Sequence, residues 1–126
     1  MLLALSASEQ LGNLEQLTVF GHELGPRCVE ILSAARLPAL TRLSIVSESL
    51  GDAGVKALAN ATLVGSLRSL SLNGCQVKMD GVLALGASTQ LQHLEVLDLR
   101  SNGLGPSTLK VLKESARLPK LREILL

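Results

Sequence analysis

The chain has 126 residues, 12 Lys and Arg against 11 Asp and Glu for a formal charge of +1, and 47% hydrophobic residues, with Phe20 its single aromatic. That length sets one domain with an aliphatic core built largely from leucine. A near-zero charge without Trp or Tyr excludes the basic, aromatic-lined surface of a nucleic-acid binder, and the interspersed charges exclude a membrane-surface patch.

The first residues, Met1-Leu2-Leu3-Ala4-Leu5-Ser6-Ala7, have the hydrophobicity of a secretory signal but no basic leader. Residues 3–14 align with 83–94, eight of the twelve positions being identical, so a repeat helix is expected there and not a targeting segment. No other apolar run approaches the roughly 18 residues of a membrane span. Two thiols, Cys28 and Cys75, spread over different repeats do not make the disulfide framework of a secreted protein. A cytoplasmic protein is expected.

From residue 14 onward the motif L-x-x-L-x-[LIV] recurs at Leu14/Leu17/Val19, Leu40/Leu43/Ile45, Leu67/Leu70/Leu72, Leu94/Leu97/Leu99 and Leu121/Ile124/Leu126. The starts are 26, 27, 27 and 27 residues apart. Such a period marks a solenoid, whose units bury their apolar faces only by stacking. The expected organisation is one domain over 1–126: a partial repeat 1–13, repeats 14–39, 40–66, 67–93 and 94–120, and a partial repeat 121–126.

Counted from its first leucine, each unit has apolar positions four and six around a mostly polar position five, the period of a strand with one buried face. Position eleven, Leu24, Leu50, Val77 or Leu104, turns inward, and Gly25, Gly51 and Gly105 follow it. Pro26, Asp52 and Pro106 then stand where a helix begins. The helices are amphipathic through Val29/Leu32, Val55/Leu58, Val82/Leu85 and Leu109/Leu112. A last apolar anchor, Leu11, Leu37, Leu63, Leu91 or Leu118, precedes the next strand, twice within Arg36-Leu37-Pro38 or Arg117-Leu118-Pro119, where proline ends the helix. Because every strand returns through a helix, the strands are parallel. Helices are wider than strands, so the sheet lines the concave side and the helices the convex side.

The pattern L-x-x-L-x-L-x-x-[N/C]-x-L-x-x-x-G-x-x-x-L, clearest over 94–112 and in Leu40-x-x-Leu43-x-Ile45 with Leu50-Gly51-Asp52-Ala53-Gly54-Val55, resembles the ribonuclease-inhibitor type of leucine-rich repeat. The resemblance covers essentially the whole chain and implies an α/β solenoid, a short horseshoe arc. Its class includes ribonuclease inhibitors, GTPase activators of nuclear transport and immune-receptor sensor arrays, so the fold leaves the function open.

The resemblance also implies that Cys75 and Asn102, at position nine, bond the turn backbone. His22 and Glu48 depart from that pattern. Cys28 shares a slot with Gly54, Gly81 and Thr108 that calls for a small residue. The cysteines lack a C-x-x-C spacing and His22 and His93 fall at unrelated positions, so neither a metal nor another cofactor is expected. No histidine recurs on the strand face to serve as a base for a serine, and no glycine-rich loop ends in a phosphate-binding lysine, so catalysis is not expected.

The concave face offers Thr18, Ser44, Ser71, Asp98 and Leu125 as its central column and Phe20, Val46, Asn73 and Arg100 as the next. Arg42, Arg68 and Arg122 alternate with Glu15, Glu95 and Glu123 on the edge columns. Phe20 and Val46 make an apolar corner, and Asn73, Asp98 and Arg100 a charged one, the composition of a protein interface. The candidate partner-binding set is Phe20, Arg42, Val46, Asn73, Asp98 and Arg100. The same columns equally suit a solvated sheet face.

Two functions follow: a non-catalytic protein-interaction module using the concave face, or a segment of a larger regulatory or sensor protein, an immune-receptor array or GTPase activator, that acts only with flanking repeats. Inhibition of a basic nuclease calls for a longer, more acidic, aromatic-rich horseshoe. Met1 aligns with Gly81, inside a helix, and Leu126 falls at position six, in a strand. Uncapped solenoid ends expose core and strand edge, so a longer array or end-to-end association through Leu2, Leu5, Leu121, Ile124 and Leu126 is expected.

Overall fold

A computed structural model describes residues 12–20, 25, 27–34, 37–47 and 49–126. Strands β1 (Gln16–Phe20), β2 (Arg42–Val46), β3 (Ser69–Ser71), β4 (Val96–Asp98) and β5 (Glu123–Leu125) form one open sheet in sequence order. Every pair is parallel, with Leu17, Leu43, Leu70, Leu97 and Ile124 side by side and Thr18, Ser44, Ser71, Asp98 and Leu125 forming the next row. Helices α1 (Arg27–Ala34), α2 (Gly51–Asn60), α3 (Met79–Gly86) and α4 (Ser107–Lys113) make the crossovers. This is the α/β solenoid implied by the resemblance, with the sheet on the concave side and the helices on the convex side.

The period-two pattern of each strand sends its leucines inward. Leu43, Ile45, Leu70, Leu72, Leu97 and Leu99 meet Val29, Leu32, Val55, Leu58, Val82 and Leu85 from the helices in one continuous buried core. Leu109, expected to share the inward stripe of α4 with Leu112, is only half-buried, whereas Leu112 is buried. Gly25 and Gly51 hold φ of +51° and +63° before their helices, a conformation a Cβ disfavours. At the small-residue slot a methyl group on Gly81 would lie 2.6 Å from Asp52 Oδ1 and 3.0 Å from Val77 Cγ1. Asp52 Oδ1 cannot retreat easily, because it accepts the Lys78 backbone N–H at 2.7 Å. Cys28 and Thr108 fill the equivalent slots of their own units and are buried there.

One anchor differs from expectation. Leu37, Leu91 and Leu118 are buried, but at the anchor expected at Leu63 the buried residue is Val64, while Leu63 is only partly buried. The same backbone bond recurs at each anchor, Leu40 N to Leu37 O, Leu67 N to Val64 O, Leu94 N to Leu91 O and Leu121 N to Leu118 O, at 3.1–3.2 Å. The step is therefore an even 27 residues. Residues Thr62–Ser66 wind into a 3-10 helix, whose three-residue turn puts Val64 inside and leaves Leu63 at the margin of the core. The expectations at 1–11, including Leu2, Leu5 and Leu11, and at His22, Leu24, Pro26, Arg36 and Glu48 lie outside the described residues.

Candidate functional site

Alternation along the strands carries the polar positions onto the concave face. Phe20 ends β1 with 74% of its surface exposed, and its neighbour in register is Val46, which is half-buried. Below them Thr18 and Ser44 place hydroxyls beside one another. An exposed aromatic on a β-branched neighbour forms a small apolar step on an otherwise polar sheet.

The charged corner is an ion pair folded onto the sheet. Asp98 Oδ1 accepts from Arg100 Nε at 3.0 Å and from the Arg100 backbone N–H at 3.0 Å, and Oδ2 accepts from Arg100 Nη2 at 2.9 Å. Positions i and i+2 of a strand share a face, so Arg100 reaches back over one residue to close the fork. The Asp98 side chain is 13% exposed and that of Arg100 56%. The Arg100 guanidinium, foremost through its hydrogen bonds, holds the Asp98 carboxyl below the usual carboxylate range, partly offset by burial. The corner thus presents a fixed guanidinium plane and no free acid. Asn73 is half-buried beside it, and the neighbouring Gly74 N–H donates to Arg100 O at 3.1 Å.

A pH test follows from the sign of this shift. A carboxyl whose pKa falls on folding adds stability that is present above the unfolded-chain pKa and is lost as pH falls through the folded value. Relative to Asp98→Asn, the unaltered chain is expected to lose stability as pH drops through and below the ordinary carboxylate range, read by urea denaturation at a series of pH values. Parallel curves for the two proteins would contradict the pairing.

Arg42 stands apart from the other candidates. It opens β2, four residues before Val46, and faces a groove at the N-terminal ends of the strands that also contains Arg68, Glu95 and Arg122. The structure thus brings together Phe20 with Val46, and Asn73 with Asp98 and Arg100, but sets Arg42 on the opposite rim. In the sequence the Arg68–Glu95–Arg122 ladder on that rim shows only as alternating edge charge. Parallel register is what makes it one feature.

At position nine, Asn102 Oδ1 accepts the backbone N–H groups of Cys75 and Val77 at 3.0 and 2.9 Å, and Nδ2 donates to Leu72 O, Leu99 O and Arg100 O at 2.8–3.1 Å. Cys75 Sγ donates to Ile45 O at 3.0 Å. Asn102 bonds the turn, as expected, whereas the Cys75 thiol bonds strand β2 and reaches the turn only through Asn73 O at 3.7 Å. Burial pushes the Cys28 and Cys75 thiols up from their ordinary pKa, which disfavours the thiolate and hence nucleophilic chemistry. Among the described residues no group of three or more His, Cys, Asp or Glu is placed to hold a metal ion, and no helix is long and apolar enough to cross a membrane.

Of the residues expected at an end contact, the described ones are partly accessible: Leu121 and Ile124 line a cleft with Leu109 and Leu112, and Leu126 is exposed.

Comparison with known proteins agrees with this geometry. A family model described as leucine-rich repeat matches residues 66–86 and 90–112. Ribonuclease inhibitor of Mus musculus is 37% identical over 102 residues, which is 76% of this chain and 22% of that protein. NACHT, LRR and PYD domains-containing protein 13 of Homo sapiens is 34% identical over 109 residues, 82% of this chain and 10% of that protein. The chain therefore spans about a fifth and a tenth of these relatives' lengths.

Proposed function

We propose that this chain, a leucine-rich repeat protein of the ribonuclease-inhibitor-like class, is a non-catalytic module that binds another protein on its concave face. The observation that carries the reading is Phe20, the only aromatic of the chain, held 74% exposed on that face beside Val46. A large apolar side chain held in water at the end of a strand is the kind of anchor protein interfaces use, where aromatic and Arg side chains dominate. Arg100, with its guanidinium already fixed by Asp98, loses little conformational freedom when it meets a partner. The partner-binding set is therefore Phe20, Val46, Asn73, Asp98 and Arg100, with Arg42 on the rim. Buried free thiols suit a cytoplasmic setting. The unit boundaries 14–39, 40–66, 67–93 and 94–120 belong to the same proposal, supported by the recurring anchor bond.

Phe20→Ala and Arg100→Ala are each expected to weaken partner binding about fivefold or more, in titration calorimetry, without loss of the helical circular-dichroism signal. Unchanged affinity in both variants moves the site to the convex side or the loops.

A second reading is favoured by the 34% likeness to a protein that carries LRR among other named domains. In it these repeats act with flanking repeats of a larger regulatory or sensor protein, and the Leu121–Ile124 cleft is covered by a neighbouring repeat or a second copy. Binding recovered only in a longer array distinguishes this reading from the first.

A further inference from the structure

We propose that the groove at the N-terminal ends of the strands takes a carboxylate-rich segment of the protein partner, so that one rim of the array reads acidic side chains. The proposal rests on the protein-binding reading above. The groove, about 280 Å³, is lined by Arg42, Arg68 and Arg122, with Glu95 as its one carboxylate and Thr41, Ser69 and Val96 completing the lining.

Three guanidiniums thus face a single acid. Glu95 is shared between Arg68 Nη1 at 3.8 Å and Arg122 Nε at 3.4 Å, with the two arginine side chains 71% and 65% exposed. Neither contact is the close fork that Arg100 makes with Asp98 at 2.9–3.0 Å. Each guanidinium carries five N–H donors in a planar array that matches a carboxylate edge. Among the described residues, the Arg122–Glu95 bond is the one side-chain hydrogen bond these three arginines make. Among the described residues Arg42 makes no ion pair. Glu15 and Glu123 are exposed carboxylates on the adjoining strand ends, outside the groove lining.

The arrangement of the charges selects the ligand. Arg42 belongs to β2, Arg68 precedes β3 and Arg122 precedes β5, so the three are spread over three strand spacings, about 14 Å. A single phosphate dianion calls for guanidiniums that converge on one point, and Glu95 sits where it would repel the second charge. Several monoanions in a row fit better. An extended peptide of about four residues covers the same distance, and its carboxylates would each meet one arginine.

The test uses the 126-residue chain and a fluorescein-labelled hexaglutamate peptide, read by fluorescence anisotropy at low and physiological salt. Saturable binding is expected, absent for hexaglutamine, and weakened about fivefold or more by Arg68→Ala and by Arg122→Ala. Glu95→Gln is expected to tighten it severalfold, whereas Glu114→Gln on the convex side and Phe20→Ala leave it unchanged. All these side chains are at least partly exposed, and circular dichroism verifies that each variant is folded. No binding of hexaglutamate, equal weakening by the convex Lys113→Ala, or tenfold tighter binding of a phosphoserine hexapeptide each overturns the proposal. Hexaglutamate binding does not need the concave corner. If it behaves as expected while Phe20→Ala spares partner binding, the groove stands and the concave reading falls; the reverse pattern removes the groove alone.

Discussion

Replacing Leu97 by alanine is expected to cost about 2–5 kcal/mol of folding stability. Leu97 is fully buried, and it stands in register between Leu70 and Ile124 in the central ladder. Truncation there removes contacts with the neighbours on both sides at once. In a stacked array each unit is held mainly by its neighbours, so the cavity weakens two interfaces. Leu83 on α3 supplies the comparison: it is 50% exposed, and Leu83→Ala is expected to change stability by about 0.5 kcal/mol or less. Urea denaturation followed by circular dichroism separates the two. Equal midpoints for Leu97→Ala and Leu83→Ala would contradict the packing described.

Asn102→Ala is the second large effect, for a different reason. The amide side chain satisfies two backbone N–H groups of the preceding turn and three carbonyls, and Asn102 is itself buried. Alanine leaves these groups unpaired where water enters poorly, at about 1–3 kcal/mol for each one not rescued. A total loss of about 2–5 kcal/mol is expected. Cys75→Ser is the milder companion, because a hydroxyl can donate to Ile45 O as the thiol does. If Cys75→Ser proves as damaging as Leu97→Ala in chemical denaturation, the turn role of position nine is wrong.

The architecture was legible because it is written into a period. Leucines at positions one, four and six with a polar residue at five can only be one-faced strands, and the helical stripe between them leaves parallel pairing as the sole return path. The expectation of Leu63 as the anchor failed where two apolar residues, Leu63 and Val64, stand side by side, and the 3-10 winding of Thr62–Ser66 puts Val64 inside. Asn102 was legible because one slot of the repeat has one task.

The candidate site was less so. Residue type placed Phe20, Val46, Asn73, Asp98 and Arg100 on the concave face but did not reveal that Arg100 binds Asp98. That pairing depends on Arg100 folding back over a single residue, a rotamer choice the sequence does not encode by itself. Arg42 was grouped with the concave set by its column. Its position at the start of β2 puts it on the opposite rim, with arginines 26 and 80 residues further along the chain, a set that only the register assembles.

The use of the concave face is tested most directly by site-specific photo-crosslinking. A photoreactive residue is placed in turn at Ser44, in the central column of the sheet, and at Leu83, half-exposed on the convex helix α3, and each protein is irradiated in a cytosolic extract. A discrete protein adduct is expected from position 44, lost when Phe20→Ala is added, with none of that size from position 83. An adduct from position 83 alone, or one from position 44 that survives Phe20→Ala at full yield, would contradict binding through the concave corner.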